Sequence, residues 1–559
     1  MPIPKEFIAD LPINPAYRRP FVDWVKPWPR HKRVDILVVV DTNISTDPVD
    51  DFGISRVIEL IRGAAVGCMR FNVDIALRNG DPQSVTASPG AYDPKYRGFR
   101  FDMQAAGVPV IDKYEQVWCF GFKPNNSGSA SDAAITASTS FPANDAELAK
   151  LAQWMNDRKG GLFGTGDHHF LGASMCKRIP RLGTMRRWTN ADGVPPQFTP
   201  DRLDTLRPPS PAYAPGAPGG PLDLDNSLHQ GDLVVQPIQW TSWQRAFWPF
   251  AFRRRPHPVL CHPTLGPIDV MPDHAHEGLC VETADIPAAA TFDFDSTGAK
   301  LEYPPSTSGG TQPLPMMVAY GSTLGDPPYN FTKGAQPARA RFPMISVYDG
   351  HEAGVGRVAT DSTWHHWMDV NINAMRTANT TEWQKISRYY INLAVWLNPP
   401  GFSTNCFHLD LVASHFQTVG FQEYREGASV LELGGSLRTH LAVKYGPCWV
   451  TDRIWDLVRE RKLWPWEILK DRRPKFDWGS VDPTVIEDLV LGHMVQATMK
   501  PALDVKDAAA DGKTRIREAL AVPEKLFAEP LAKAVEDLSI GLTEHFEMGL
   551  KLAQGLARR

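Results

Sequence analysis

The sequence predicts an α/β protein: a doubly wound, mostly parallel sheet with a long insertion, followed by a helical C-terminal region. Three observations predict it. The run VDILVVVD at 34–41 is continuously apolar, the pattern of a strand covered on both faces. A helix follows from about Asp51, with Ile54, Val57, Ile58 and Ile61 spaced i, i+3, i+4, i+7. Further strand-like and helix-like segments then alternate, as parallel sheets with crossover helices require.

Taken in order, residues 1–30 are rich in Pro and aromatics (Pro20, Phe21, Trp24, Pro27, Trp28, Pro29) and read as an arm laid on the body. RFNVDIALR (70–78) and YEQVWCFGF (114–122) read as the next strands. Asn144 or Asp145 is placed to cap a helix whose apolar positions are Leu148, Leu151, Ala152 and Met155, and which stops at Gly160-Gly161. GLFGTGDHHFLGASM (161–175) then reads as a short strand, a Gly-rich turn and a helix. Between about 190 and 256 the composition shifts to Pro, Gly and Asp, the mark of a long insertion acting as lid or interface. Strand-like pieces return at 266–272, 316–321, 344–349 and 356–363. A helix near 381–397 follows, with Trp383, Ile386, Tyr390, Leu393 and Leu397 on one face. The expected organisation is therefore an arm (1–30), an α/β domain (31–400) with its insertion, and a helical region (401–559). The last helix of that region carries Leu531, Val535, Leu538, Leu542 and Phe546 and is expected to serve a homo-oligomer or to dock on its own chain.

The bulk numbers exclude several classes. At 559 residues the chain exceeds one ordinary core, and 43% hydrophobic with 22% charged residues is a globular composition. The 59 basic and 63 acidic residues leave a net charge of −4, which offers no electrostatic footprint for nucleic acid or an anionic membrane. Seven scattered cysteines without a CxxC pair read as thiols in a reducing compartment. The N-terminus lacks an apolar signal core and no run is long enough to span a bilayer, so the expectation is cytoplasmic.

Histidine carries the functional signal. Nine of sixteen lie in four local groups beside expected strands: His168 and His169; His257 and His262; His274 and His276; and His351 with His365 and His366. Ligands bind outside the carboxyl ends of strands in open α/β sheets, where Asp41, Asp167, His168 and His365 are all expected. In GTGDHH the residue after the second glycine sits on a tight turn above a helix N-terminus. Asp167 and His168 there suit acid–base work or metal ligation; alternatively Gly164 and Gly166 only permit close packing and Asp167 caps the helix. In PDHAHEG, His274, His276 and Glu277 form a candidate ligand set for zinc or another divalent metal, or a solvent-facing loop. In TDSTWHHWMD one histidine faces inward and the other packs between Trp364 and Trp367, as a general acid or base or as part of an aromatic cluster. Candidate catalytic residues are thus Asp167, His168, His365 and His366, with Asp41, Gly166, His169 and Trp364 as candidate substrate contacts. There is no GxSxG elbow, Walker A motif or early GxGxxG, so serine-hydrolase, ATP and NAD readings lack support.

The order VDILVVVD, YEQVWCFGF and KGGLFGTGDHH resembles the ThuA-like branch of the class I glutamine-amidotransferase-like superfamily. HPVL (257–260) and GVGRVATDSTWHHW (354–367) are similar to that branch's HP-apolar segment and its strand ending at a histidine. The resemblance covers roughly 34–400 and implies a flavodoxin-like sheet, with His365 or His366 at the family's catalytic-histidine position. Where amidotransferases carry a nucleophilic cysteine, this chain has Gly166-Asp167-His168, and Cys176 lies about two helical turns beyond. Thioester chemistry on glutamine is therefore not expected. Two expectations stand side by side: a hydrolase of a small, carbohydrate-related substrate at a His/Asp site, with or without assistance from a ligated zinc; and a non-catalytic scaffold that oligomerises or binds a protein.

Overall fold

The computed structural model describes residues 32–41, 43–78, 82–123, 142–167, 171–188, 192, 235–243, 255–272, 278–307, 309, 311–322, 341–400, 402, 429–460, 483–503, 533, 536, 537 and 540. The arm, most of the insertion and the face of the last expected helix lie outside them.

The apolar run at the start of the chain forms β1 (Lys32–Asp41), in which Val34 and Ile36 to Val40 are all buried. It pairs in parallel with β2 (Met69–Arg78), Val38 opposite Ile75. On its other side lies β3 (Gln116–Phe120), with Val38 opposite Trp118. β4 (Gly161–Thr165) pairs in parallel with β3. Three later strands complete the main series: β5 (Met316–Ser322), β6 (Arg341–Tyr348) and β7 (Val358–Asp361). β7 lies parallel to β4, so the parallel strands run in the order β2-β1-β3-β4-β7. Beyond β7 the pairing reverses: β6 is antiparallel to β7, and β5 to β6. Short strands extend both edges, giving eleven strands among the described residues.

The sheet is apolar on both faces because helices cover both. Val34, Ile36, Val38 and Val40 share one core with Val57, Ile58 and Ile61 of α1 (Ser55–Gly63). Leu37 and Val39 share the other with Leu148, Leu151, Trp154 and Met155 of α2 (Asp145–Asp157). α2 begins with a capping box in which Asn144 and Glu147 serve each other's backbone N–H groups. α1 has Ile54 at its N-cap, which has no side-chain oxygen to offer. Its first N–H groups are taken instead by Asp369, whose carboxylate accepts from Ser55 N (3.0 Å) and Arg56 N (2.9 Å). Asp369 opens α3 (Asp369–Ala378), and α4 (Thr381–Trp396) follows on the α1 side of the sheet.

In the C-terminal region, α5 (Val430–Tyr445), α6 (Pro447–Glu460) and α7 (Pro483–Leu503) are described. Leu437, Trp449 and Val490 join the α1-side core. Arg388 of α4 donates to the carbonyls of Lys444 and Tyr445, and Arg357 pairs with both Asp349 and Asp456. These helices are docked on the sheet rather than set apart from it. Among the described residues no helix is long and apolar enough to cross a membrane.

Candidate functional site

β4 and β7 are neighbours and parallel, so the loops leaving their carboxyl ends meet. β4 runs into Gly166-Asp167. A side chain at Gly166 would meet the Leu171 carbonyl oxygen at 2.1 Å and the Trp188 ring at 2.9 Å, so only glycine fits this turn. The Gly166 carbonyl accepts from Trp364 N (2.8 Å), and Asp167 N donates back to Leu171 O (3.0 Å). β7 ends at Asp361 and leads into a short 3-10 turn, Trp364–Trp367. Thr363 caps that turn by accepting from His365 N (3.0 Å), and its hydroxyl donates to Asp167 Oδ1 (2.8 Å).

This arrangement brings Asp167 and His365 together. The other Asp167 oxygen, Oδ2, lies 3.4 Å from His365 Nε2, and His365 Nδ1 lies 3.3 Å from Asn371 Oδ1. Trp364 packs at 4.1 Å from the imidazole centroid, and Phe52 contacts both rings edge-on. Both of these contacts are longer than the usual 2.9–3.0 Å N–H···O distance.

His366 points elsewhere. Its Nδ1 lies 2.7 Å from Asp361 Oδ1 and its Nε2 3.0 Å from Gln236 Nε2. Gln236 Nε2 also donates to Pro272 O, so the same amide nitrogen serves both acceptors and His366 carries its proton on Nδ1. Asp361 also accepts from Trp367 Nε1 (3.3 Å) and Tyr389 OH (3.4 Å). Both side chains of this pair are fully enclosed.

Arg186 ties the two loops from below. Its Nη2 donates to the carbonyls of Asp167 (3.0 Å) and Ser362 (2.7 Å), and its guanidinium lies over the Trp188 ring. Burial pulls its pKa down, opposed by Cys280 and by the carboxylate of Asp167.

No family model, curated protein or solved structure matches this chain. The site therefore rests on its own geometry.

The other expected residues are distributed as follows. Asp41, at the end of β1, accepts from Phe122 N (2.8 Å) and Lys123 N (2.9 Å), which ties down the loop after β3. Burial raises its pKa against those two hydrogen bonds. His257 stacks on Trp243, and His262 Nδ1 accepts from Leu265 N inside a turn. His168, His169, His274, His276 and Glu277 lie outside the described residues. Among the described residues no group of three His, Cys, Asp or Glu side chains is placed to hold a metal. A groove of about 640 Å³ beside α2 is lined by Lys150, Asn156, Phe292, Phe294 and Lys300, away from Asp167 and His365. Sequence reasoning missed Arg186, Gln236, Asn371 and the pairing role of Asp361. Asp361 and Thr363 stand inside the TDST motif, but nothing in the sequence marks Arg186, Asn371 or Gln236 as their partners.

Proposed function

We propose that the chain is a hydrolase related to the ThuA-like amidotransferase group, acting on a small, carbohydrate-related substrate in a reducing, cytoplasmic setting. The observation that carries the hydrolase reading is the Asp167–His365 contact at the carboxyl ends of two adjacent parallel strands. The parallel order β2-β1-β3-β4-β7 supports a flavodoxin-like assignment, since it follows the 2-1-3-4-5 pattern in chain order. The six described cysteines are free thiols, in keeping with a reducing compartment.

In this proposal His365 is the general base. Its Nε2–H is directed at Asp167 Oδ2, and its Nδ1 accepts the proton from a water that takes the place of the long Asn371 contact. The proton is taken as the water oxygen bonds to the electrophilic carbon of the substrate. Asp167 stabilises the resulting imidazolium, and Thr363 holds that carboxylate in place through its other oxygen. The proton then passes from His365 to the departing group, so no charge is left behind. Nothing in this route needs a thiolate, which agrees with the absence of cysteine at the elbow.

The test is a hydrolysis screen on activated esters, amides, glycosides and phosphate esters, comparing wild type with His365→Ala and Asp167→Asn. A turnover that falls by about 10²–10⁴ in His365→Ala supports the proposal. Turnover unaffected by both variants refutes it.

One observation favours a scaffold as a second reading. Val443 of α5 is 60% exposed, an apolar side chain on the outer side of a docked helix where a second copy would seat. Light scattering of the eluting protein separates the two: an oligomer dispersed by Val443→Glu, with no hydrolytic turnover, favours the scaffold.

A further inference from the structure

Two cysteines distant in sequence meet where the C-terminal helices dock. Cys261 follows the 3-10 turn Pro258–Leu260, and Cys448 lies in the first turn of α6. Their thiols are neighbours, each the largest influence on the other's titration. Between them runs Gly446 in a left-handed conformation (φ +95°), where a side chain would meet the Cys261 carbonyl oxygen at 3.2 Å and its sulfur at 3.7 Å. The backbone on each side is pinned by a cation or an amide. Arg255 Nη1 donates to Cys448 O (3.1 Å), Arg388 Nη2 to Tyr445 O (3.2 Å), and Asn392 Nδ2 to Cys261 O (3.0 Å). The sulfurs are thus held together by the fold, just beneath the surface (3% and 6% exposed) and beside two guanidinium groups.

We propose that Cys261 and Cys448 are a reversible redox pair, oxidised by hydrogen peroxide or a comparable small peroxide to a disulfide that fastens α6 to the α/β body. This goes beyond the hydrolase reading and does not depend on it. In the first step the Cys261 thiolate attacks one peroxide oxygen. An S–O bond forms, the O–O bond breaks, and the departing hydroxide leaves as water after taking up a proton. In the second step the Cys448 sulfur displaces the hydroxyl of the Cys261 sulfenic acid, again as water, and the S–S bond forms. Two thiols lose two electrons in all, and one peroxide becomes two waters. A thiol reductant reverses the change. The roles follow from the environment: contact with the Cys448 thiol lowers the Cys261 pKa, with Arg255 and Arg388 adding to it, whereas the same contact and burial push Cys448 up.

A second thiol pair supplies the internal control. Cys119 of β3 and Cys176 are also neighbours, but both are fully buried, and burial drives the Cys176 pKa well up. That pair should remain reduced under the same treatment, because peroxide must reach a sulfur to oxidise it and both are shut off from solvent.

The experiment uses the full chain. Protein reduced and freed of reductant is treated with a small excess of hydrogen peroxide, unfolded in N-ethylmaleimide, and analysed by intact mass and non-reducing peptide mapping. The untreated protein should carry seven adducts, one per cysteine. The treated protein should carry two fewer, with a single linked peptide joining Cys261 to Cys448 that dithiothreitol dissolves. A Cys448→Ser variant should instead give a dimedone adduct on Cys261. Should that variant fail to fold, the wild-type map decides alone. Seven adducts after peroxide, a sulfinic Cys261 beside a still-alkylated Cys448, or a link between any other two cysteines overturns the proposal.

Discussion

Replacing Arg78 with Met tests how the strand ends are fastened to α2. Arg78 closes β2, and both its side chain and that of Glu147 are fully buried. Glu147 accepts two hydrogen bonds from the guanidinium (2.5 and 2.9 Å), one from Phe101 N (3.0 Å) and one from Asn144 N (3.3 Å). Removing the guanidinium leaves a carboxylate inside the protein with only two backbone donors. Breaking one side of a buried ion pair costs about 3–5 kcal/mol, most of it the penalty of the orphaned charge. The double variant Arg78→Met/Glu147→Gln removes both charges and keeps one acceptor oxygen, for either Phe101 N or the capping box. It should cost less than either single change, about 1–2 kcal/mol. Urea unfolding followed by tryptophan fluorescence reads the result as a fall in midpoint at constant slope. A single-variant cost under about 1 kcal/mol, or a double-variant cost equal to the sum of the singles, would refute the ion-pair account.

Two more changes probe the same scaffold. Burial raises the Asp369 carboxyl above its ordinary 3.8, against the hydrogen bonds from Ser55 and Arg56. The folded protein therefore binds that proton more tightly than the unfolded chain, and stability from this group falls as pH rises from about 4 until the folded carboxyl has ionised. Asparagine does not titrate, so the stability advantage of wild type over Asp369→Asn should narrow over that interval; chemical denaturation at several pH values that shows a flat or widening gap contradicts the assignment. Gly166→Ala places a methyl against the Leu171 carbonyl and Trp188, and should cost about 3 kcal/mol or more in thermal or urea unfolding, since neither neighbour is a flexible chain end. A cost within about 0.5 kcal/mol would show that the turn relaxes freely.

Local periodicity made much of the fold legible. The apolar run at 34–41 became β1 because helices cover both faces, and the Val57, Ile58 and Ile61 stripe became the buried side of α1. Asn144 announced its helix because capping is a contact across three residues. What stayed hidden is what depends on distant partners. α1 shows no start signal of its own because its cap, Asp369, arrives from more than three hundred positions away. The reversal of direction at β6 has no sequence mark, since a buried antiparallel strand has the same apolar run as a parallel one. The site was half legible for the same reason. GTGDHH and TDSTWHHW each stand out, but only the parallel pairing of β4 with β7 brings Asp167 to His365, and Arg186 joins them from a segment with no motif at all.

The adjacent histidines show how one short turn separates chemistry from structure. A 3-10 turn has three residues per revolution, so successive side chains leave it about 120° apart. His366 is thereby sent inward to Asp361, where its 2.7 Å contact and full enclosure make it part of the core. His365 is sent toward Asp167 and Asn371, with contacts of 3.4 and 3.3 Å to their side-chain oxygens. Opposite consequences follow. His366→Ala strands the enclosed Asp361 carboxylate with Trp367 Nε1 and Tyr389 OH as distant donors, and should lower stability by about 3 kcal/mol or more. His365→Ala leaves Asp167 its hydrogen bond from Thr363, and should cost about 1–2 kcal/mol while removing any turnover. Unfolding curves of the two variants, run side by side, settle the order. If His365→Ala proves the more damaging to stability, His365 is the structural histidine and the assignment of roles within the pair is reversed.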